Sequence, residues 1–476
     1  MFEVDDAGVV DAMRSAACEE NAACGRRLMW MGELYARRAP EDEVDRINWA
    51  IDGHANVVAE ISAALNISRG RAAGQLRYAI DLRERLPKVA EVFATGAMDF
   101  RMMAALVNRS ENVTQPDLLA KLDQAFAKWA PTWTKMSGPK LTERVDMWVE
   151  KFDPTGVREP RPTRDDRYVD VGPISPGMAG IWAKLPIAEG AAFDARLDEI
   201  AGTVCRDDSR TAQQRRADAM SAMAAGQTRL ECGCGDDECP AGALQQPLGQ
   251  VVIEVIAEQA TIEGSSQAPG YMPGFGAVPA PMLREMAATA QLKQVPLPPP
   301  ICEPGYRPSA ALARFVRCRD LTCRFPGCDA PAEVCDIDHT IPYPAGPTHP
   351  SNLKLLCRFH HLLKTFYAGA RGWADRQLPD GTVIWTAPSG QVYTTKPGGA
   401  LFFPALATPT GELVIPDCTG PAHSNRGLMM PTRQRTRAQD RAYRIALERQ
   451  HNAARITRKQ LLLAERIARD DEPPPF

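Results

Sequence analysis

From residue 8 to residue 150, apolar positions recur at helical rather than alternating spacing. In VDRINWAIDGHANVVAEISAALNI, Ile47, Ile51, Val57, Val58, Ile61 and Leu65 share one side of the period and predict an amphipathic helix. Ser68 then serves as an N-cap for SRGRAAGQLRYAIDLRERLP, a helix that must stop before Pro87. The short break between these helices fits a DNA-reading helix-turn-helix or a plain helix hairpin. FRMMAALV and PDLLAKLDQAFAKWA continue the helical pattern. Near residue 167 the period changes, and RYVDVGPISPGMAGIWAKLP predicts two strands joined by a Pro/Gly turn. AAFDARLDEIAGTVC returns to helix, and GQVVIEVIAE (249–258) is a β-branched strand run. QVPLPPPICEPGYRP (294–308) predicts an extended linker. Beyond residue 370, Asp380-Gly381 and Ser389-Gly390 separate short β-branched and aromatic runs, the pattern of a three-stranded meander. The closing segment is Arg-rich and helix-forming, either a solvated helix or a phosphate-binding arm. An α+β chain follows, with a mainly helical domain at 1–293, the linker at 294–308, a compact domain at 309–372, the meander at 373–420 and a helical tail at 421–476.

Composition narrows the class. The 476 residues are 44% apolar and 24% charged, the balance of an ordinary globular protein with a sizeable core. The acidic start MFEVDDAGVV lacks the regions of a signal peptide, and no run of 18 apolar residues predicts a membrane span. The thirteen cysteines are odd in number and clustered, which favours metal ligation over disulfides and, with no export signal, a cytoplasmic location. The net charge of −3 is unevenly spread: Lys+Arg against Asp+Glu is 33 to 43 over residues 1–300, 10 to 7 over 301–376, and 12 to 6 over 426–476. A phosphate backbone would be drawn to the C-terminal third, which makes DNA the expected partner.

The chemistry concentrates in CRFPGCDAPAEVCDIDHTIPYPAGPTHPSNLKLLCRFHHLLK. Cys323 and Cys328 flank a Pro-Gly turn, and Cys357 with His360 forms a second close pair, together a Cys3His set for a structural zinc. Such a site would contribute about 10–16 kcal/mol of folding free energy. His361 stands four residues from Cys357 and is an alternative partner for that zinc. Asp338 and His339 adjoin in a strand context, so they point to opposite faces. Asn352 follows at the end of a loop, and the next helix carries His361 and, one turn on, Lys364. Lys364 and Arg358 are the candidate phosphate contacts. A second group, Cys232, Cys234 and Cys239 in LECGCGDDECPA, could hold another zinc with a distant fourth ligand, Cys205 being the nearest.

The segment resembles the HNH nuclease motif, in which a β-hairpin and a helix grip one divalent ion. The resemblance implies that Asp338 and His361 ligate the catalytic metal, that His339 is the general base, and that Asn352 holds the hairpin loop and helps orient the imidazole. It also implies that Cys323, Cys328, Cys357 and His360 bind structural zinc, His360 departing from the commoner cysteine. The catalytic ion would be magnesium, with manganese, nickel or zinc also admitted by an Asp/His set. With ISRGRAAGQLRYAIDLRERLP, the segment is similar to the actinobacterial 13E12-repeat proteins, which join a DUF222-type helical domain to a C-terminal HNH domain. The function expected is metal-dependent DNA cleavage. The alternatives are a zinc-stabilised DNA-binding protein with an inactive site and a protein-interaction module, the partner of the N-terminal domain being unspecified. An unperturbed His339 would make the rate rise with pH near ~6.5, and a separate C-terminal domain would lose its zinc without harm to the N-terminal helices.

Overall fold

Asp and Ser side chains set many of the helix starts. In the computed structural model, which describes residues 5–158, 167–236, 238–239, 241, 254–369, 372–413 and 429–470, Asp5 caps α1 (Asp6–Arg46) and Asp52 caps α2 (Gly53–Leu65). Ser68 accepts from the Arg71 N–H and opens α3 (Arg69–Glu84), as its sequence predicts. Pro87 then starts α4 (Pro87–Ala94), and α5 (Phe100–Arg109), α6 (Pro116–Trp129) and α7 (Gly138–Phe152) follow. The helix predicted through Ile47 and Ile51 is instead split: α1 ends at Arg46 and the chain restarts at Asp52. The reason is Asp52, whose carboxylate accepts from Ala55 N–H and terminates any helix arriving from upstream. Ile47 and Leu65 accordingly stay exposed, while Val57, Val58 and Ile61 join Leu28, Leu76, Phe93, Met102, Leu106, Phe126 and Val145 in one core. The α2–α3 pair is a helix hairpin whose later basic side chains are occupied within the protein. Arg77 donates to Asn108, Arg83 to Glu33 and Arg85 to the Ser110 carbonyl.

Residues 161–294 form a unit of their own. It contains the predicted hairpin, β1 (Tyr168–Ser175) and β2 (Met178–Lys184), then α8 (Ile187–Ala201) and α9 (Ala212–Ala224). Further along lie α10 (Gln259–Ile262), the short ribbon of β3 (Gly270–Met272) and β4 (Gly276–Val278), and α11 (Ala280–Ala287). Of the strand predicted at 249–258, residues 249–253 lie outside the described residues; Ile256 makes an isolated bridge to Tyr271.

The chain from Val295 onward belongs with the N-terminal helices, in a unit of Met1–Pro160 and Val295–Phe476. The predicted boundary at the Pro-rich passage therefore marks the end of the inserted unit, and the helices at 1–158 are not a domain apart from the Cys/His segment. Physical ties explain this: Trp373 Nε1 donates to Asn56 at 3.0 Å, Tyr367 Oη donates to the Ile51 carbonyl at 3.2 Å, and the Arg69 guanidinium lies over Phe359 at 4.4 Å. Here α12 (Ala310–Asp320) leads to an antiparallel pair, β5 (Cys335–His339) and β6 (Leu353–Cys357), with α13 (Arg358–Phe366) beginning directly after β6. The predicted meander is present as β7 (Ala374–Gln377), β8 (Val383–Thr386) and β9 (Val392–Thr395), followed by a turn of helix, α14 (Gly399–Phe402). The tail forms α15 (Arg437–Asp470), which is packed rather than free. Arg433 and Arg437 meet Asp52, Arg441 meets Asp81 at 2.6 Å, and Arg449 meets Asp153 at 2.5 Å. No helix among the described residues is long and apolar enough to cross a membrane.

Candidate functional site

The β5–β6 register sets the site. Asp338 pairs with Lys354, His339 with Leu353, and Cys335 with Cys357. The end of α12 locks this ribbon from below: buried Arg319 donates to the carbonyls of Pro350 and Leu353, and buried Asp320 accepts from the Leu355 N–H at 2.9 Å.

At one end, Cys323, Cys328, Cys357 and His360 converge, with their ligand atoms all within 4.8 Å of one another. The C-x4-C turn closes through Gly327, whose φ of +75° lies where a side chain would be strained. His360 Nδ1 lies 3.2 Å from Cys357 Sγ and 3.5 Å from Cys323 Sγ, and Cys328 Sγ is 4.0 Å from Cys357 Sγ. A tetrahedral zinc with bonds of about 2.3 Å to sulfur and 2.0–2.1 Å to nitrogen needs such edges, about 3.5–3.8 Å. The set therefore fits a metal such as zinc. It also decides between the adjacent histidines: His360 faces the thiols, its ring stacked on Phe325 at 3.9 Å, and His361 does not. Cys318 and Cys335 are outside the group; Cys335 Sγ turns to the Ala330 carbonyl.

His361 turns instead toward β5. Its Nδ1 is 2.9 Å from Asp336 Oδ2, and its Nε2 faces Asp338 Oδ1 at 3.5 Å. A neutral ring that donates from Nδ1 presents a bare Nε2 to a bare carboxylate oxygen. Two acceptors at that separation fit a shared divalent cation with ligand bonds of about 2.1 Å. The other carboxylate oxygen of Asp338 is occupied by Lys354 at 2.7 Å and Lys364 at 2.6 Å. Burial alone would raise the Asp338 carboxyl, but the two ammonium groups hold it at about 2. Asp375 is 2.6 Å from the wholly buried Lys354, closing a charged cluster of two carboxylates and two ammoniums. Burial works against the Lys354 charge, and Asp338 with Asp375 more than restores it.

His339 lies on the opposite face, as strand alternation requires. Its Nε2 is 2.9 Å from Thr348 Oγ1, and that hydroxyl donates to the Gly305 carbonyl at 2.6 Å. With the hydroxyl proton committed, Nε2 must be the donor, and Nδ1 carries the free lone pair. Nδ1 is buried and has no protein partner. Burial, with Lys354 and Lys364 nearby, lowers the imidazole to about 4, well under the expected ~6.5. Tyr306 stacks on the ring at 5.2 Å. Asn352 is fully buried and pins the loop: its Oδ1 accepts from Ile341 N–H, and its Nδ2 donates to the carbonyls of Ile341 and Pro347. The partner of the imidazole itself is Thr348.

Of the two candidate phosphate contacts, Lys364 is turned inward onto Asp338 and the His339 carbonyl, while Arg358 is half exposed beside Asp336 at 3.4 Å. His349 accepts from Ser351 N–H and caps the turn before Asn352. The sequence reading missed Asp336, Thr348, Lys354, Asp375 and Tyr306. Asp336 was recoverable, since it shares the strand face of Asp338 two residues away. Tyr306 lies in the Pro-rich passage, where nothing marks it.

The description "Domain of unknown function (DUF222)" belongs to a family model that matches residues 15–320, ending ahead of Cys323. Over 94% of its length the chain is 44% identical to "Uncharacterized protein Rv3776" of Mycobacterium tuberculosis, covering 91% of that protein. It is also 44% identical to "Uncharacterized protein Rv2100" of the same organism, over 94% of this chain and 88% of the relative. No solved structure matches.

Proposed function

Given that the chain belongs to the DUF222 family, whose description assigns no activity, we propose from the site itself that it is a metal-dependent endonuclease of the HNH class acting on DNA phosphodiester bonds. The observation that carries this reading is the division of labour across β5. On one face Asp338 and His361 present bare ligand atoms 3.5 Å apart, and on the other His339 holds a bare Nδ1. Asp338 and His361 would hold a divalent cation such as magnesium, which would supply charge neutralisation for the phosphate and the leaving oxygen. His339 takes the proton of the attacking water at Nδ1, while Thr348 holds the other nitrogen and fixes the tautomer. As the water oxygen bonds to phosphorus, the bond from phosphorus to the leaving oxygen breaks. Asn352 ties the loop after His339 at Ile341 and Pro347. Structural zinc on Cys323, Cys328, Cys357 and His360 would fix the start of α13, and with it His361.

One observation favours a second reading, a zinc-braced DNA-binding protein with no turnover. Lys354 and Lys364 already satisfy one oxygen of Asp338, as they would in a purely structural ion cluster. Plasmid relaxation by the full chain separates the two. Nicking that requires an added divalent ion and stops with chelator supports the nuclease. Binding without nicking in magnesium, manganese, nickel, cobalt or zinc supports the second reading.

A further inference from the structure

The unit of residues 161–294 contains a group of side chains that the nuclease reading does not use. Cys205 lies just after α8, and Cys232, Cys234 and Cys239 lie after α9. Their four sulfurs are all within 4.8 Å of one another, and Cys205 Sγ is 3.5 Å from Cys232 Sγ. Two segments 27 residues apart thus deliver their thiols to one point.

The backbone also approaches the thiols. Backbone N–H groups adjoin three of the sulfurs: that of Asp207 by Cys205, those of Cys205 and Cys234 by Cys232, and that of Asp236 by Cys234. A neutral thiol is a weak acceptor with little use for such donors, whereas a metal-bound thiolate is stabilised by them. Gly235, at φ +76°, lets the chain curl around Cys234.

A second layer fixes the two segments to each other. Asp208 accepts from the Arg210 guanidinium at 3.1 and 2.8 Å and from the Gly233 N–H at 2.8 Å. Arg210 also donates to the Glu231 carbonyl at 2.7 Å, and Thr203 accepts from the Leu230 N–H at 2.9 Å. The ligand loops are therefore positioned by groups other than the sulfurs. What the hairpin lacks is a core: its buried apolar residues are Leu197, Ile200, Ala201, Ala219, Ala222 and Leu230, half of them alanine. Small cores of this kind are commonly completed by a metal or a disulfide.

We propose that Cys205, Cys232, Cys234 and Cys239 form an all-sulfur structural zinc centre that closes the open end of the α8–α9 hairpin. Four protein ligands leave no open position, so the centre is structural and not catalytic. Soft thiolate ligands in a closed tetrahedron select zinc or iron, and zinc is the ion proposed. The centre is independent of the Cys323 group.

Metal analysis and zinc X-ray absorption on the full-length protein test this together. The expected result is two zinc ions per chain, with an average shell of about 3.5 sulfurs and 0.5 nitrogen per zinc, from one all-sulfur and one Cys3His centre. Substituting Cys232→Ser with Cys234→Ser should remove one zinc and return the shell to three sulfurs and one nitrogen. Because the absorption spectrum is read on the wild-type chain, misfolding of the variant does not remove the test. A single zinc with three sulfurs and one nitrogen in the wild type would overturn the proposal. So would iron in the second site, or disulfides among these four cysteines by mass. A single zinc with four sulfurs would uphold it and count against the Cys323 group.

Discussion

A carboxylate on one nitrogen of an imidazole changes what the other nitrogen offers a cation. Asp336 fixes the His361 tautomer and ring direction, so Asp336→Asn should loosen metal binding without removing a ligand. The expected effect is a ~10–100-fold rise in the metal concentration for half-maximal cleavage, with the rate at saturating metal largely recovered. A metal titration of the variant checks it; an unchanged midpoint would show that Asp336 only decorates the surface. His339 gives a prediction in pH. The neutral ring is the active form, and burial lowers it to about 4, so its acid limb moves down. Cleavage should hold its plateau from pH 8 to below pH 6, where an ordinary imidazole would already be losing activity near ~6.5. A rate that halves near ~6.5 would mean that the base is exposed or is another group. Asp338, His339, Asn352 and His361 were legible in the sequence because each stands beside a motif landmark. Lys354 and Asp375 were not, because their roles exist only once β6 and β7 are brought against Asp338.

Elements account for a different share. The α3 cap at Ser68, the β1–β2 hairpin and the meander were all legible from short-range turn and cap chemistry. The split at residues 47–52 was hidden because apolar periodicity ran through it, and the role of α15 was hidden because its partners are far away in sequence. Arg441 meets Asp81, which is nearly inaccessible, and Arg449 meets the buried Asp153. Without Arg441, Asp81 still has Arg77 at 3.8 Å and Arg85 at 3.5 Å, whereas removing Arg449 takes away the guanidinium that meets the buried Asp153 carboxylate. Arg449→Ala should therefore cost roughly 2 kcal/mol, less than a fully buried pair because the arginine is partly exposed. Urea denaturation checks this, and an unmoved midpoint would show that the pair contributes nothing. The same packing limits α15 as a phosphate arm. Deleting residues 429–476 should flatten the salt dependence of DNA binding by fewer charges than the tail carries, since Arg433, Arg437, Arg441 and Arg449 already face carboxylates of the N-terminal part.

At the scale of the whole molecule, the N-terminal helices and the Cys/His segment share one body, through Trp373 on Asn56 and Tyr367 on Ile51. Cys323→Ser should then lower the melting temperature of the helices together with that segment, in place of the independent loss expected of separate domains. Helical circular dichroism that melts in two steps, with the N-terminal helices unchanged, would contradict this coupling. The sequence could not reveal it, because the ties join residues more than three hundred positions apart. The proposed DNA cleavage is the activity to measure. That measurement is the single-turnover rate of plasmid nicking by wild type and His339→Ala, at matched pH and saturating divalent metal. Loss of the general base should slow cleavage by ~10²–10⁴-fold while DNA affinity and zinc content stay the same. Equal rates for the two proteins would contradict the assignment of His339.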